Sequence, residues 1–303
     1  MIKLDNVTLT YPSGKGIFDI RFEVKEGTVM GYLGPNGAGK TTTIRALLGF
    51  MKPDSGSCSV IGRDCWTDPV SIQRSLGYIP GEISFPDGMN GDEFLDFLSE
   101  MRGSKDLSKR KDLLDMLELD PKGRIRKFSK GMKQKLGIVA ALMHDPDILV
   151  LDEPTSGLDP LMQKRFVELI LDEKRKGKTI LLSSHIFEEV EKTCDEVIII
   201  KDGRIVMFSD SASLRNSRRK AYQIRTGNNS EAVSLLVSAG FEIDGGRNDT
   251  ENGVITVYVK GEDVDRFVKT IASFEVVDIE LKTQSLEDVF LSLYARDAER
   301  VVK

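Results

Sequence analysis

Nine consecutive residues, Gly34-Pro35-Asn36-Gly37-Ala38-Gly39-Lys40-Thr41-Thr42, carry the densest chemistry in the chain. They match G-x4-G-K-[ST], a pattern whose glycines let successive backbone N–H groups wrap around phosphates with no Cβ in the way. A helix starting near Lys40 aims the positive end of its dipole at the same point. Lys40 is expected to reach the β- and γ-phosphates of a nucleoside triphosphate, and the Thr41 hydroxyl to ligate Mg²⁺. Such a metal needs a second acid. Ile148-Leu149-Val150-Leu151-Asp152-Glu153 supplies one, an apolar strand closing on two adjacent carboxylates. Asp152 is expected in the outer shell of the metal and Glu153 beside the attacking water, which it would polarise. Neighbouring strand residues point to opposite faces, but the bend at a strand end lets both reach one site.

The elements that position these residues follow from hydrophobic period. Ile2 to Tyr11 and Phe18 to Val24 alternate on either side of the turn Pro12-Ser13-Gly14-Lys15-Gly16, which predicts an antiparallel pair. A buried strand over Thr28 to Leu33 runs into the glycine loop, and a helix follows from Lys40 to Leu48, stopped by Gly49. Residues 91 to 144 read as helical, with Phe94, Leu95, Leu98 and Met101 at helix spacing and Leu113, Leu114 and Leu117 repeating it. Phe85, Phe94, Phe97 and Leu98 are expected in a core, and His144 as a cap or surface residue. Strands at 148–151, 179–183 and 197–201 then alternate with helices near 160–176 and 186–193, which predicts a parallel sheet covered by helices.

After about Asp210 the texture changes. Arg215, Arg218, Arg219 and Lys220 read as a solvated linker. Beyond it come strand 221–226, helix 230–239, strands 240–244 and 253–260, helix 262–273 and strand 275–282, then a helix over Leu286 to Tyr294. The order β-α-β-β-α-β is the ferredoxin-like arrangement.

Composition narrows the function classes. A chain of 303 residues with 40% hydrophobic and 30% charged residues has the material for a main globular domain plus an appendage. A net charge of −5 argues against a surface built throughout for nucleic acid, and no nucleic-acid partner is expected. Cys58, Cys65 and Cys194 are too few and scattered for a disulfide framework or a four-ligand zinc site, and suit a reducing cytosol. The chain opens directly on strand-like residues, so no leader is expected, and no run approaches the ~20 apolar residues that span a bilayer.

Phe128-Ser129-Lys130-Gly131-Met132-Lys133-Gln134 resembles the signature loop of ATP-binding-cassette (ABC) ATPases, with S-K-G-M in place of S-G-G-Q. The family's order holds through the phosphate loop, this loop, the strand ending at Glu153, Ser156-Gly157-Leu158-Asp159, and His185 after Ser183-Ser184. From the residues alone, Ser129 reads as an N-cap before the apolar run Met132, Leu136, Val139, Ala140 and Met143, and His185 as a neutral-pH hydrogen-bonding group at a strand end.

The resemblance covers residues 1 to about 210 and implies an α/β P-loop ATPase core. That core has a mixed sheet, an antiparallel N-terminal region and a helical subdomain at about 88–145, giving domains 1–215 and 216–303. It implies that Tyr11 stacks on adenine, that Ser129, Gly131, Met132 and Asp159 complete the nucleotide site of a second subunit, and that His185 meets the γ-phosphate. The assembly it implies is an ATP-sandwich homodimer or a pseudo-symmetric pair with a second ATPase. The partner would be an ABC-2-type transmembrane permease, with the ATPase peripheral on the inner face of the cell membrane. The run E-P-T-S-G-L-D-P and the extension ending Ser285-Leu286-Glu287-Asp288-Val289-Phe290 look most like drug- and antibiotic-efflux ATPases.

The alternative is a soluble ABC ATPase of repair, translation or cofactor assembly; the long coiled-coil insertion and the second cassette of such proteins are missing. One position departs from the family. Gly77-Tyr78-Ile79-Pro80 is followed by Gly81-Glu82 where a glutamine is usual, so Glu82 is either an oxygen ligand displaced by one residue or part of a plain turn.

Overall fold

Period-two hydrophobicity builds the first sheet. Strands β1 (Ile2–Thr10) and β2 (Gly16–Val24) pair antiparallel and bury Ile2, Leu4, Val7, Ile17, Ile20 and Val24. β3 (Val29–Leu33) is buried at every position, as a strand covered on both faces must be, and leads into α1 (Lys40–Leu47). β4 (Ser55–Val60) joins the other edge of β1, and β5 (Arg63–Asp64) ends this sheet in the order β2-β1-β4-β5. The computed structural model describes residues 1–103, 106–210, 220–243 and 254–283.

α2 (Pro69–Ser75) and β6 (Leu76–Ile79) precede three helices, α3 (Gly91–Arg102), α4 (Ser108–Met116) and α5 (Lys130–Leu142). α3 opens in a reciprocal capping box between Asn90 and Glu93, worth about 1 kcal/mol, and stops at Gly103 in the left-handed region. The expected core role of its aromatics holds only in part. Phe94 and Leu98 are half-buried, but Phe97 is 42% exposed.

β7 (Ile148–Asp152), α6 (Pro160–Arg175), β8 (Thr179–Ser184), α7 (Phe187–Thr193), β9 (Glu196–Lys201) and β10 (Arg204–Asp210) follow. The second sheet runs β10-β9-β3-β8-β7-β6 and is parallel except for β10. β10 is absent from the sequence reading. It forms a hairpin with β9 through Asp202-Gly203, both at positive φ, and alternates exposed and half-buried along its length. Register pairs Asp152 with Ser183 and Leu33 with Ser184, so the C-terminal ends of β3, β7 and β8 lie level. Open α/β sheets hold ligands at that edge.

The chain divides into two units, Met1–Ser211 and Ala212–Lys303. In the second, β11 (Lys220–Thr226), α8 (Asn229–Ser238), β12 (Glu242–Ile243), β13 (Val254–Val259), α9 (Val264–Ile271) and β14 (Val276–Thr283) form an antiparallel sheet ordered β12-β13-β11-β14. That order is the ferredoxin-like one. Ile224, Leu236, Phe241, Ile255, Val257, Val259 and Phe267 form its core. Lys220 belongs to β11 rather than to a linker; the basic stretch before it and the expected helix over 286–294 lie outside the described residues.

Candidate functional site

The glycine loop bridges β3 and α1 with a backbone that other residues would block. A Cβ on Gly34 would stand 2.5 Å from the carbonyl oxygen of Ile200, and Gly39, at φ 110, leads into the first turn of α1. Asn36 and Gly37 are exposed at the tip, Pro35 is half-buried, and Ala38 is buried, its carbonyl accepting from Gly203 N–H at 2.9 Å. Lys40 is 5% exposed. Its Nζ donates to the carbonyls of Gly34 (2.6 Å) and Pro35 (3.2 Å) and lies 3.0 Å from Glu153 Oε1, an ion pair without hydrogen-bond alignment. Thr41 and Thr42 are half-buried on the first turn of α1.

The two acids part at the end of β7. Asp152 continues the strand and is fully buried; its Oδ1 accepts from the Ser183 hydroxyl at 2.5 Å, and its Oδ2 has no hydrogen-bond partner. Glu153 turns away through a left-handed backbone at φ 49, the bend that brings its carboxylate to Lys40. A non-glycine residue in that region carries about 1–3 kcal/mol of strain. Glu153 N–H spans to the carbonyl and the hydroxyl of Ser183, both at 3.2 Å, which holds the bend. His185 Nδ1 lies 2.5 Å from Glu153 Oε2, so the glutamate bridges lysine and imidazole.

Lys40, Asp152, Glu153 and His185 thus come together at one sheet edge. Tyr11 approaches the same loop, its hydroxyl 3.4 Å from Thr42 Oγ1 and donating to Met51 Sδ at 3.3 Å. Ser129 caps α5, accepting from Met132 N–H at 3.1 Å, and is exposed; Gly131 and Met132 are half-buried beside it. Asp159 is exposed and caps α6, accepting from Met162 N–H at 3.0 Å. A Cβ on Gly131 would stand 3.0 Å from the carbonyl of Gly157, so the start of α5 rests against the loop that ends at Asp159. Glu82 is exposed and makes no hydrogen bond or ion pair among the described residues. Gly81 is the residue facing Asp152, a Cβ there standing 3.0 Å from its Oδ2.

The contacts of three further residues escape the sequence reading. Gln134 is buried and donates from Nε2 to the carbonyl of Pro154 at 2.7 Å, tying α5 to the residue after Glu153. Ser183 serves both acids. Glu189 is buried, and only its place four residues after a strand-end histidine hinted at it. His144 is half-buried rather than a surface cap, its Nε2 3.3 Å from the carbonyl of Leu76; burial, then the Arg102 charge, bring its pKa down to about 4.

Comparison with known proteins agrees with this geometry. The family model described as ABC transporter matches residues 17–156. The bacitracin transport ATP-binding protein BcrA of Bacillus licheniformis is 35% identical over 97% of this chain and 97% of its own length. The ABC transporter ATP-binding protein NatA of Bacillus subtilis is 39% identical over 68% of this chain and 86% of its own. A solved structure of an ATP-binding subunit of an ABC transporter superposes with a TM-score of 0.65 at 31% identity, covering 71% of this chain and 92% of that one. Similarity that runs the length of the chain, on a fold whose strand ends converge on one phosphate-binding loop, makes this protein a member of the ABC transporter ATP-binding subunits, and hence an ATPase.

Proposed function

We propose that this ATPase closes as a head-to-tail pair on two ATP molecules, as a homodimer or with a second ATPase, and drives export by an ABC-2-type permease on another chain. It would work at the inner face of the cell membrane; among the described residues no helix is long and apolar enough to cross one. The observation that carries the reading is Glu153, held between Lys40 Nζ at 3.0 Å and His185 Nδ1 at 2.5 Å.

Glu153 is the base that takes a proton from the attacking water. His185 orients that carboxylate and reaches the γ-phosphate, and Lys40 turns from its loop carbonyls to the β- and γ-phosphates. The buried, unpartnered Asp152 Oδ2 and the Thr41 hydroxyl are hard oxygen donors that suit Mg²⁺. When bound, Mg²⁺ would neutralise phosphate charge. The loop amides of Gly34 to Thr42 cradle the phosphates, and Tyr11 stacks on the base. Ser129, Gly131, Met132 and Asp159 serve the nucleotide of the partner: the Ser129 hydroxyl keeps its own proton to donate while accepting from Met132 N–H. Glu82 has no assigned part.

A cavity of about 290 Å³ in the first unit, walled by Phe50, Tyr78, Phe85, Phe94 and Leu98 with Arg102 beside them, supports docking of a short amphipathic helix from the permease. The likeness to a bacitracin transport protein supports antibiotic-class cargo as the first to test.

Glu153→Gln should lower ATP turnover by about 10²–10⁴-fold while ATP still binds and drives dimerisation, read by steady-state assay and sedimentation. Unchanged turnover would remove Glu153 from the reaction.

A further inference from the structure

We infer that Glu189 is a positioning residue for ATP hydrolysis, fixing through the Ser184 hydroxyl the backbone on both sides of His185. The inference rests on the reading of His185 given above. β8 ends at Ser184 and α7 begins at Phe187, so His185 and Ile186 are the whole connection. Ile186, at the N-cap position of α7, receives no side-chain cap from itself; its N–H donates instead to Ser184 Oγ at 2.9 Å. The same hydroxyl donates its single proton to Glu189 Oε2 at 3.1 Å. Ser184 therefore bridges the residue after the histidine and a carboxyl in the first turn of the helix. Where that carboxyl sits decides where the bridge points.

The anchor is needed because little else holds the imidazole. The His185 side chain is 51% exposed, and beyond Glu153 Oε2 no hydrogen bond orients its ring among the described residues. Glu189 is only 5% exposed, its Oε1 is buried without a hydrogen-bond partner, and Thr193 Oγ1 donates to its carbonyl at 2.7 Å. Leaving a carboxyl oxygen dry and unpaired is costly, and a simple helix cap does not require it. Burial pushes the Glu189 carboxyl above its usual range; the Thr155 and Ser184 hydroxyls oppose that, the Glu153 charge adds to it, and His185 opposes it. Glu189 thus lies within electrostatic reach of the Glu153–His185 pair.

Glu189→Ala and Ser184→Ala should each lower kcat by about 10- to 100-fold, the penalty for a misplaced catalytic group, with the KM for ATP little changed. Glu189→Gln, whose amide oxygen still accepts from Ser184, should recover most of the loss. The Glu189→Ala/Ser184→Ala double variant should be no slower than either single one, and neither change should matter further in a His185→Ala background.

Full turnover in both single variants, additive losses, or Glu189→Gln as slow as Glu189→Ala would overturn the inference. If Glu189→Ala melts, Ser184→Ala alone and with His185→Ala carries the same test. Wild-type turnover in His185→Ala would sink the reading of the site itself. An inactive His185→Ala beside fully active Glu189→Ala and Ser184→Ala would sink only the positioning role.

Discussion

The two units bury different things. Every buried polar side chain among the described residues lies in the first, including Lys40, Gln134, Asp152, Thr155, Ser183, Ser184 and Glu189. So does every described non-glycine residue at positive φ, Glu153 among them. The described core of the second unit is wholly apolar, built on Ile224, Leu236, Ile255, Val257, Val259 and Phe267. Burying a charge costs several kcal/mol and a left-handed glutamate about 1–3 kcal/mol, so such features persist where an activity uses them. The contrast supports placing the proposed chemistry in the first unit. For the second unit we propose an accessory role, regulatory or dimer-stabilising, which needs no buried polar group.

The largest effect that can break this contrast is at the phosphate loop. Lys40→Ala removes a buried cation that the proposed transition state uses, and should lower turnover by about 10²–10³-fold. Lys260→Ala, at an exposed position after β13, should leave turnover as it is. A comparable loss from both, in the same ATPase assay, would mean that the second unit shares the reaction.

The parts of the site written in residue types were legible in the sequence, because phosphate and magnesium chemistry demands particular groups at particular strand ends. Lys40, Asp152, Glu153 and His185 could be gathered that way. The bend that lets Glu153 leave the strand beside Asp152 was expected in kind, but its left-handed form at φ 49 belongs to the packed site. The role of Ser183 was illegible because its partners arrive through tertiary pairing of β8 on β7, and that of Glu189 because a carboxylate early in a helix reads as a solvated residue. Gly81 shows the same limit: a Cβ there would crowd Asp152, whereas motif alignment drew attention to exposed Glu82. The ferredoxin-like arrangement was readable from the succession strand, helix, strand, strand, helix, strand. β10 was missed although Asp202-Gly203 announced a hairpin, because its apolar positions alternate half-buried or exposed at a sheet edge rather than forming a buried run.

A second test asks whether the apolar core stands by itself. Phe267 is fully buried, its ring 4.6 Å from Tyr222 and 5.6 Å from Phe241. Phe267→Ala should cost about 3–5 kcal/mol of local stability, seen as lost amide protection in β11 and β13 by hydrogen exchange. Protection in β3, β7 and β8 should hold. Parallel loss in those strands would show that the two cores unfold as one, and the comparison would have to be redrawn.

The smallest effect separates the units by acid. In the first, Asp145 accepts from Lys109 and from Lys178, and the fully buried Glu173 pairs with the same two lysines. The hydrogen bond from Lys109, then that from Lys178, draws the Asp145 carboxyl down to about 2. A depressed folded pKa means stability present above the unfolded value and lost as pH falls from about 4 toward 2. Asp145 sits at φ 54, a backbone that asparagine also tolerates, so Asp145→Asn removes the charge without strain. With its side chain 64% exposed, the loss at pH 7 should stay below about 1 kcal/mol, and the two proteins should converge near pH 2. In the second unit Asp265 pairs with Lys269 at 2.7 Å, both largely exposed, and Asp265→Asn should shift the melting curve at neither pH. A gap in the first unit that survived at pH 2 would assign the loss to the amide rather than the charge. Burial of polar groups would then separate the units only at the ATP site.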